Sequence, residues 1–518
     1  MFNKKSRIEN SLKASTLGII NQIISIVMSF AYRTAFLYVL SVEYLGLNGL
    51  FTDILGLLSL AELGIGTAII YRLYEPVCGE DNAKVGKIMN FYKTVYRVVA
   101  LVVAALGLLI MPFLQFFIND ASEIPADVNI YLIYSLFLVQ TLSTYLFSYK
   151  QSLLTVDQHG QTVSLFNMLC NIAKNVAMLA VLFATKNYLF TLVASIIIQL
   201  LSNYVFSLFI SKKYKEVFAT KEKLDKEEKK IILRDTSALM LHKVGYVALS
   251  STDRIVITAF VGLGVGGIYS NYTLIVAAIN LLVAQIMSNL MPSIGNLIAS
   301  KDLRRESEIF DKILFLNLWI TSFCAVGMFA LFQPFIIVWQ SVELTLPTSS
   351  VLWICLNFFL LSSKGAVGAF INTSGLFVKD RLRPLIESAL NIVVSIALVR
   401  VIGLNGVFVG TFASCVATSL WREPYILSKY HFKEKFFAKY WAKYLGFFLL
   451  MAMTAAAMLF LTNLLPNSAG YFVLKLLIVA VGTNLIFALA TCWTKEFKSY
   501  ARMAKNICRK IFCKSKSV

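Results

Sequence analysis

Charged residues are scarce in this chain of 518 residues: Asp, Glu, Lys and Arg make up 15% of it, whereas hydrophobic residues make up 58%. Soluble globular domains carry about a quarter charged residues. The apolar residues form long runs, such as 101–111 and 452–465 with their flanks. A helix needs about 20 predominantly apolar residues to cross the hydrocarbon core of a bilayer. The composition therefore excludes an ordinary soluble protein and predicts an all-α integral membrane protein.

Histidine and paired cysteines are also scarce. The three histidines lie far apart in sequence, and the eight cysteines form no Cys-x-x-Cys motif, which excludes the spacings typical of zinc sites and disulfide frameworks. Residues 262–267 fit the Gly-x-Gly-x-x-Gly pattern, but no acidic residue lies between Asp253 and Asp302, where the dinucleotide fingerprint requires one. We therefore expect no metal and no cofactor, and we interpret the glycines as a tight turn between helices.

Fourteen apolar segments are long enough to cross a membrane. The first follows a basic segment, 1–13, and is too long for the apolar region of a cleaved signal peptide. We predict spans near residues 14–40, 45–71, 88–112, 129–150, 161–184, 188–211, 235–261, 267–299, 310–339, 349–374, 385–402, 405–428, 440–463 and 469–492.

The basic residues predict the orientation of these spans. With the N-terminus inside, the inner segments and their flanks hold forty of the 48 Lys and Arg residues, whereas the outer loops hold one, Lys186. Inner loops of membrane proteins are enriched in Lys and Arg. We therefore predict a multi-pass protein of the bacterial cytoplasmic membrane with both termini in the cytoplasm. The basic C-terminal tail is interpreted as a segment that faces membrane lipids and binds no nucleic acid.

An internal repeat divides the chain. At a numbering offset of 221, Arg33 falls on Arg254 and Gly46 on Gly267, and Ser29/Ser250, Leu47/Ile268 and Asp81/Asp302 also match. The fifth and eleventh spans align at an offset of 220, through Asn171 and Asn391. Both copies begin inside, so the repeat is parallel, with an axis along the membrane normal. We predict an N-lobe of six helices at 1–211, a cytoplasmic linker at 212–234, a C-lobe of six helices at 235–430, and two C-terminal helices with a basic tail at 431–518.

Three short segments carry a resemblance to a known family. Tyr44–Phe51 (YLGLNGLF) and Ala61–Gly66 (AELGIG) resemble the second-helix region of polysaccharide flippases in the multidrug/oligosaccharidyl-lipid/polysaccharide (MOP) exporter superfamily. Gly267–Ser270 (GIYS) matches the start of their eighth helix. The resemblance implies two pseudo-symmetric six-helix lobes of the MOP/MATE type. It also implies a substrate linked to undecaprenyl pyrophosphate, for capsule, exopolysaccharide or O-antigen assembly.

Basic residues inside the predicted spans are the candidate substrate ligands. A charged side chain at a helix centre costs about 2.5–3.5 kcal/mol on insertion scales, so it needs a partner or a water-filled surface. The five deepest are Arg33, Lys174, Lys243, Arg254 and Lys364. They are accompanied by polar residues at helical spacing on the first, fifth, seventh and tenth helices: Gln22, Ser29, Tyr32, Asn171, Asn175, Ser250, Asp253 and Asn357.

Two interpretations of these cations remain open. In the first, they line a cavity between the lobes and bind the pyrophosphate of a lipid-linked glycan, since Arg suits bidentate phosphate contacts. In the second, they pair internally: Asp53 neutralises Arg33, Asp253 pairs with a neighbouring helix, and Glu62 pairs with Lys174 or Lys364. Glu62 could also bind a coupling cation. The cluster has more bases than acids, which favours the cavity.

The sequence therefore predicts a flippase that moves a lipid-linked oligosaccharide to the outer leaflet by alternating access. Na⁺, H⁺ or the membrane potential alone could drive it. A multidrug or cation antiporter of the same superfamily is the alternative, disfavoured because a cavity for cationic drugs should be acidic. A glycan polymerase is a second alternative, disfavoured because neither a large outer loop nor a soluble domain is present. Such a polymerase remains a possible partner protein.

Overall fold

The structure is a computed structural model that describes residues 4–59, 65–220, 222–232, 251–432 and 436–514. Within these ranges the regular secondary structure is entirely helical, as the sequence predicts. The chain divides into two compact units, Met1–Ser270 and Asn271–Val518. The boundary lies after Ser270 and not in the predicted linker, because residues 251–270 pack with the first unit. The lobe boundaries inferred from the repeat stay a prediction.

In the described part of the first unit, nine α-helices have defined bounds. They are α1 (Lys4–Val39), α2 (Val42–Leu58), α3 (Ile65–Cys78), α4 (Asn82–Ile110), α5 (Ile130–Phe147), α6 (Gln151–Val156), α7 (Gly160–Thr185), α8 (Tyr188–Lys213) and α9 (Lys215–Ala219). A helical segment at 251–260 follows, and the long helix α10 (Leu263–Ala299) begins in this unit.

The remaining helices belong to the second unit. They are α11 (Leu303–Trp339), α12 (Thr348–Ser362), α13 (Gly365–Thr373), α14 (Arg383–Ile402), α15 (Leu404–Ala417), α16 (Ser419–Leu427), α17 (Phe436–Asn463), α18 (Ala469–Thr491) and α19 (Lys495–Lys514). The helix α11 packs against α12, α17 and α18, and the side chain of Asn317 on α11 donates to the carbonyl oxygen of Ser363 at 2.6 Å.

Twelve helical segments in the described ranges are long and apolar enough to cross a membrane. They coincide with twelve of the fourteen predicted spans. The other two predicted spans, 45–71 and 235–261, include residues outside the described ranges. The chain is therefore a multi-pass membrane protein.

The repeat predicted from sequence is visible in the turns. Glu80 and Lys301, which the offset of 221 relates, both have φ of 56°. Each precedes an aspartate that caps a helix: Asp81 accepts from the backbone N–H of Lys84 at 2.9 Å, and Asp302 accepts from that of Arg305 at 3.1 Å. A left-handed residue before an N-cap aspartate recurs at equivalent positions, which confirms the offset for this part of the chain.

The turns that flank the fifth and eleventh spans correct the second offset. Gln158 and Gly375 have positive φ before these spans, and Lys186 and Gly403 have positive φ after them. Both pairs correspond to an offset of 217 and not 220. Because three residues are close to one helical turn, a shift of three leaves polar residues on nearly the same helix face. The sequence match between Asn171 and Asn391 was therefore misleading.

Candidate functional site

Two polar stripes predicted from sequence meet between α1 and α7. The side-chain amide of Asn171 donates to Ser25 Oγ at 2.7 Å, and the amide of Asn175 donates to the carbonyl oxygen of Asn171 at 2.8 Å. Gln22 and Ser29 are half-buried on the same stripe of α1. The opposite stripe of α1 carries exposed apolar side chains, which include Ile23 and Val27. Helix α1 therefore turns an apolar face outward and keeps its polar face against α7.

Lys174 lies on the polar side of α7, half-buried and three residues after Asn171. In the described ranges no carboxylate forms an ion pair with it. The segments Leu17–Val39 and Gly160–Thr185 contain two cationic residues, Arg33 and Lys174, and no Asp or Glu. The α1–α7 pair is therefore net positive over its membrane-spanning length.

Arg33 lies further along the polar stripe of α1. Its guanidinium donates to Ser270 Oγ at 2.5 Å, and the positive charge of Arg254 acts on it. Tyr32 packs beside it, with its ring 5.6 Å from that of Phe36. The two arginines related by the repeat are thus electrostatic neighbours in the first unit.

The structure corrects the predicted partner of Asp53. Its carboxylate lies 3.0 Å from the guanidinium of Arg254, and the two side chains are only 17% and 16% exposed. One interpretation of the sequence paired this carboxylate with Arg33. The pairing favours Arg254 because the side chain of Arg254 crosses onto α2, where its Cδ would lie 2.6 Å from a Cβ at Gly49. Any larger residue at position 49 would push the arginine away from Asp53.

The repeat explains why the two arginines have different partners. At the offset of 221, Gly49 is equivalent to Ser270. Arg33 contacts Ser270, and Arg254 contacts Gly49. The two arginines are equivalent in the repeat, and so are the two positions that they contact. The position equivalent to Asp53 is Leu274, which is apolar. The second copy thus lacks an acid where the first copy has one.

Gly46 and Gly267, which belong to the segments that resemble polysaccharide flippases, allow the start of α2 and the start of α10 to approach closely. A Cβ at Gly46 would collide with the carbonyl oxygen of Leu263, and a Cβ at Gly267 would collide with the carbonyl oxygen of Val42. Val42 and Leu263 are themselves equivalent positions at the offset of 221. The start of α2 and the start of α10 therefore meet as equivalent partners, which places Ser270 within reach of Arg33.

The other predicted site residues of the first unit either lie near Arg33, Arg254 and Asp53 or fall outside the described ranges. The charges of Asp253, Asp53 and Arg254 all act on Tyr269, so both aspartates lie near the arginines. Lys243, Ser250 and Glu62 fall outside the residues whose side chains are described.

Lys364 lies in a polar cluster of the second unit. Its Nζ donates to Ser419 Oγ at 2.7 Å, and that hydroxyl donates to Glu387 at 2.9 Å. The charges of Glu423 and Glu387 both act on this lysine. The charge of Lys364 is therefore compensated within the second unit, as a buried charge requires, and its place in the predicted cationic cavity stays a prediction. The side-chain amide of Asn357 donates to the carbonyl oxygen of Phe408 at 2.9 Å, so this residue links α12 to α15.

The ion network around Lys364 was missed in the sequence. Arg383 contacts Asp380 at 2.6 Å, Glu387 at 2.5 Å and Glu423 at 2.8 Å, and all three carboxylates are buried. The spacing Asp380, Arg383, Glu387 on one helical face was the available signal. Glu423 gave no such signal, because it is far from Arg383 in sequence.

A contact of the predicted outer loop was also missed. Glu123 accepts from the backbone N–H of Leu263 and, at 3.0 Å, from that of Gly264, so its carboxylate caps the start of α10. Gly262, the residue before this start, has φ of 150°, a conformation open to glycine. Gly262 thus lies in a turn between helices, as predicted, whereas Gly264, Gly266 and Gly267 lie within the first turns of α10. In the described ranges, no group of three or more His, Cys, Asp or Glu residues could hold a metal ion.

Comparison with known proteins shows both a family and a fold. Residues 11–298 match the sequence profile of the polysaccharide biosynthesis protein family. No curated protein sequence matches the chain at a significant level.

Three solved structures share the fold at low sequence identity. The lipid II flippase MurJ, in an inward closed conformation, has a TM-score of 0.65 and 15% identity, over 92% of this chain and 99% of that chain. An inward-facing multidrug resistance MATE transporter of the MOP superfamily has a TM-score of 0.58 and 13% identity, over 81% and 99%. A mutant of the Vibrio cholerae MATE transporter VcmN has a TM-score of 0.55 and 12% identity, over 84% and 100%. Since the profile covers more than half of the chain, the chain belongs to the polysaccharide biosynthesis protein family, and its fold is that of MOP-superfamily transporters.

Proposed function

We propose that this chain is a flippase that moves an oligosaccharide linked to undecaprenyl pyrophosphate from the inner to the outer leaflet of a bacterial cytoplasmic membrane. The observation that carries the proposal is the α1–α7 pair, where Arg33 and Lys174 lie at membrane depth on two packed helices whose spanning segments contain no carboxylate. A helix pair with a net positive charge inside the membrane attracts an anion. The pyrophosphate is the anionic part of such a substrate.

The depths of the two cations suit a diphosphate. Ser25 and Asn171 are hydrogen-bonded and so lie at the same depth. Arg33 is eight residues further along α1, about 12 Å, and Lys174 is three residues further along α7, about 4.5 Å. Both helices start inside in the predicted topology, so the cations differ in depth by about 7.5 Å. Two long side chains at this spacing can hold the two phosphates of one pyrophosphate, with Arg33 as the bidentate ligand.

The surrounding polar groups suit the rest of the substrate. The amides of Asn171 and Asn175 and the hydroxyl of Ser25 line the same helix pair, and they offer hydrogen bonds to sugar hydroxyls. The isoprenyl chain of the substrate can stay in the bilayer beside the apolar outer face of α1. Family membership supports a substrate of polysaccharide synthesis, and similarity to a lipid II flippase supports a lipid-linked one.

The membrane potential alone is sufficient to drive the movement. Each negative charge that moves outward gains about 2.3 kcal/mol per 100 mV when the interior is negative. A pyrophosphate carries at least two such charges, so transport without Na⁺ or H⁺ is feasible. We propose that the two repeated six-helix lobes expose the site alternately to each side.

A multidrug antiporter is the second candidate, because two of the similar structures are MATE transporters. A net positive helix pair would repel cationic drugs and attract anionic lipids. The two functions can therefore be separated with one preparation of protein.

The test uses the purified full-length chain in proteoliposomes. Flipping of a fluorescent isoprenyl-pyrophosphate glycan should occur in wild type and fall at least tenfold in Arg33→Ala and in Lys174→Gln. Arg33→Lys should recover part of the activity, because the charge remains while the bidentate fork is lost. The matched control is Lys186→Gln, an exposed lysine in a loop, which should flip normally. Uptake of a cationic dye with no flipping of the glycan lipid would establish the antiporter.

A further inference from the structure

A second cationic site lies at the predicted cytoplasmic end of the first unit, around Lys150. This lysine ends the short helical turn Ser148–Lys150 that follows α5. Its Nζ donates to Ser207 Oγ and to Ser211 Oγ, both at 2.7 Å, and it lies 5.2 Å from the centre of the Phe218 ring. All of these partners are neutral.

The ammonium of Lys150 keeps both its charge and a donor. A lysine has three N–H donors, and the two serines accept two of them. The group is half-buried, and in the described ranges no carboxylate forms an ion pair with it. Two hydroxyls and a ring face fix the position of the Nζ without neutralising it. The third N–H is therefore available to an anion.

Two further cations stand beside this lysine on α4. Lys93 acts electrostatically on Lys150, and Arg97 acts on Tyr149, the residue before it. Both side chains are exposed, and they are four residues apart, so they share one face of α4. Within the described part of the chain neither forms an ion pair. The three cations form a patch, the Lys150 patch, which contains Lys93, Arg97 and Lys150.

The location of the Lys150 patch points to the chemistry of its ligand. The face of α4 that bears Arg97 continues into exposed apolar side chains, Val98 at 55% and Leu101 at 70% exposure. An apolar helix face of a membrane span contacts lipid tails. The patch therefore lies where the apolar face ends, at the level of lipid headgroups, and on the side to which the predicted topology assigns the cytoplasm.

We propose that the Lys150 patch binds the phosphate group of an anionic lipid in the inner leaflet. Lysine and arginine bind lipid phosphates through charge-assisted hydrogen bonds. The phosphate can come from a phospholipid of the bilayer or from an isoprenyl pyrophosphate. This site is separate from Arg33 and Lys174, and it stands whether or not the chain is a flippase.

The test measures the melting temperature of the full-length protein in a neutral detergent. The probes are dioctanoyl phosphatidic acid, farnesyl diphosphate, and dioctanoyl phosphatidylcholine as the zwitterionic control. At least one of the two anionic probes should raise the melting temperature of wild type, and phosphatidylcholine should not. The anionic probe that acts at the lower concentration identifies the source of the phosphate.

Two variants assign the effect to the patch. The triple variant Lys93→Gln, Arg97→Gln, Lys150→Gln should need at least tenfold more of the anionic probe. The double variant of the two exposed residues should need several-fold more, and it preserves the buried contacts of Lys150 if the triple variant does not fold. The charge-matched control replaces Lys223, Lys226 and Lys230, which are exposed in the linker, and should respond as wild type. An equal response of the double variant and wild type, or no response to either anionic probe, overturns the proposal.

Discussion

Replacing Arg254 by alanine leaves the carboxylate of Asp53 without its ion-pair partner at 3.0 Å. Removing one partner of a buried ion pair costs about 3–5 kcal/mol, because the remaining charge stays desolvated. The two side chains are 16% and 17% exposed, so we expect the lower end, about 3 kcal/mol. Removing both charges leaves no unpaired ion. The variant Arg254→Ala with Asp53→Asn should therefore be more stable than Arg254→Ala alone.

The assay is a double-mutant cycle on the purified protein in mixed micelles. The free energy of unfolding from denaturant titration is measured for wild type, Arg254→Ala, Asp53→Asn and the double variant. We expect a coupling energy of about 2 kcal/mol or more, since residues in contact couple by about 0.5–3 kcal/mol. A coupling below about 0.5 kcal/mol would refute the pairing, because independent sites add within that margin. The matched comparison is Arg33→Ala with Asp53→Asn, which should show no such coupling.

The same proteins distinguish the structural arginine from the proposed ligand. Arg254→Ala should lower protein abundance in the membrane, and the added Asp53→Asn should restore it. Arg33→Ala should leave abundance near normal and abolish flipping, because we propose that Arg33 binds the substrate phosphate, whereas Arg254 is paired with Asp53. If Arg33→Ala lowers the abundance and the added Asp53→Asn restores it, then Asp53 pairs with Arg33, as one interpretation of the sequence proposed.

Two further predictions concern topology and packing. A cysteine at Asp120 should react with an impermeant thiol reagent on intact protoplasts and one at Lys223 should not; the reverse pattern would invert the orientation. Gly49→Ala should destabilise the protein by about 1–3 kcal/mol, because its Cβ would lie 2.6 Å from the Cδ of Arg254. Gly18→Ala, where no atom of the described residues lies within 4 Å of the added Cβ, is the control and should be at least as stable as wild type, because alanine favours a helix over glycine.

The sequence alone determined twelve of the membrane spans and the offset of 221 between the two copies. Long apolar runs can satisfy their backbone in lipid only as helices, so length and composition suffice to predict them. The offset of 221 was apparent because the glycines at helix contacts and the aspartates at helix starts serve local backbone needs at the same positions in each copy. The caps Asp81 and Asp302 show this directly, since each binds a backbone N–H three residues later.

Only the tertiary structure decided which charges are partners. One interpretation of the sequence paired Asp53 with Arg33, but Asp53 lies against Arg254. Lys364 was grouped with the other buried cations, and the structure shows that Glu387 and Glu423 compensate its charge. The choice depends on how closely two helices approach, and that distance is set by single glycines, such as Gly49 beneath Arg254. Sequence spacing fixes which face of a helix a charge occupies. It carries no information on which other helix lies opposite that face, and for this reason the ion pairs became visible only in the folded chain.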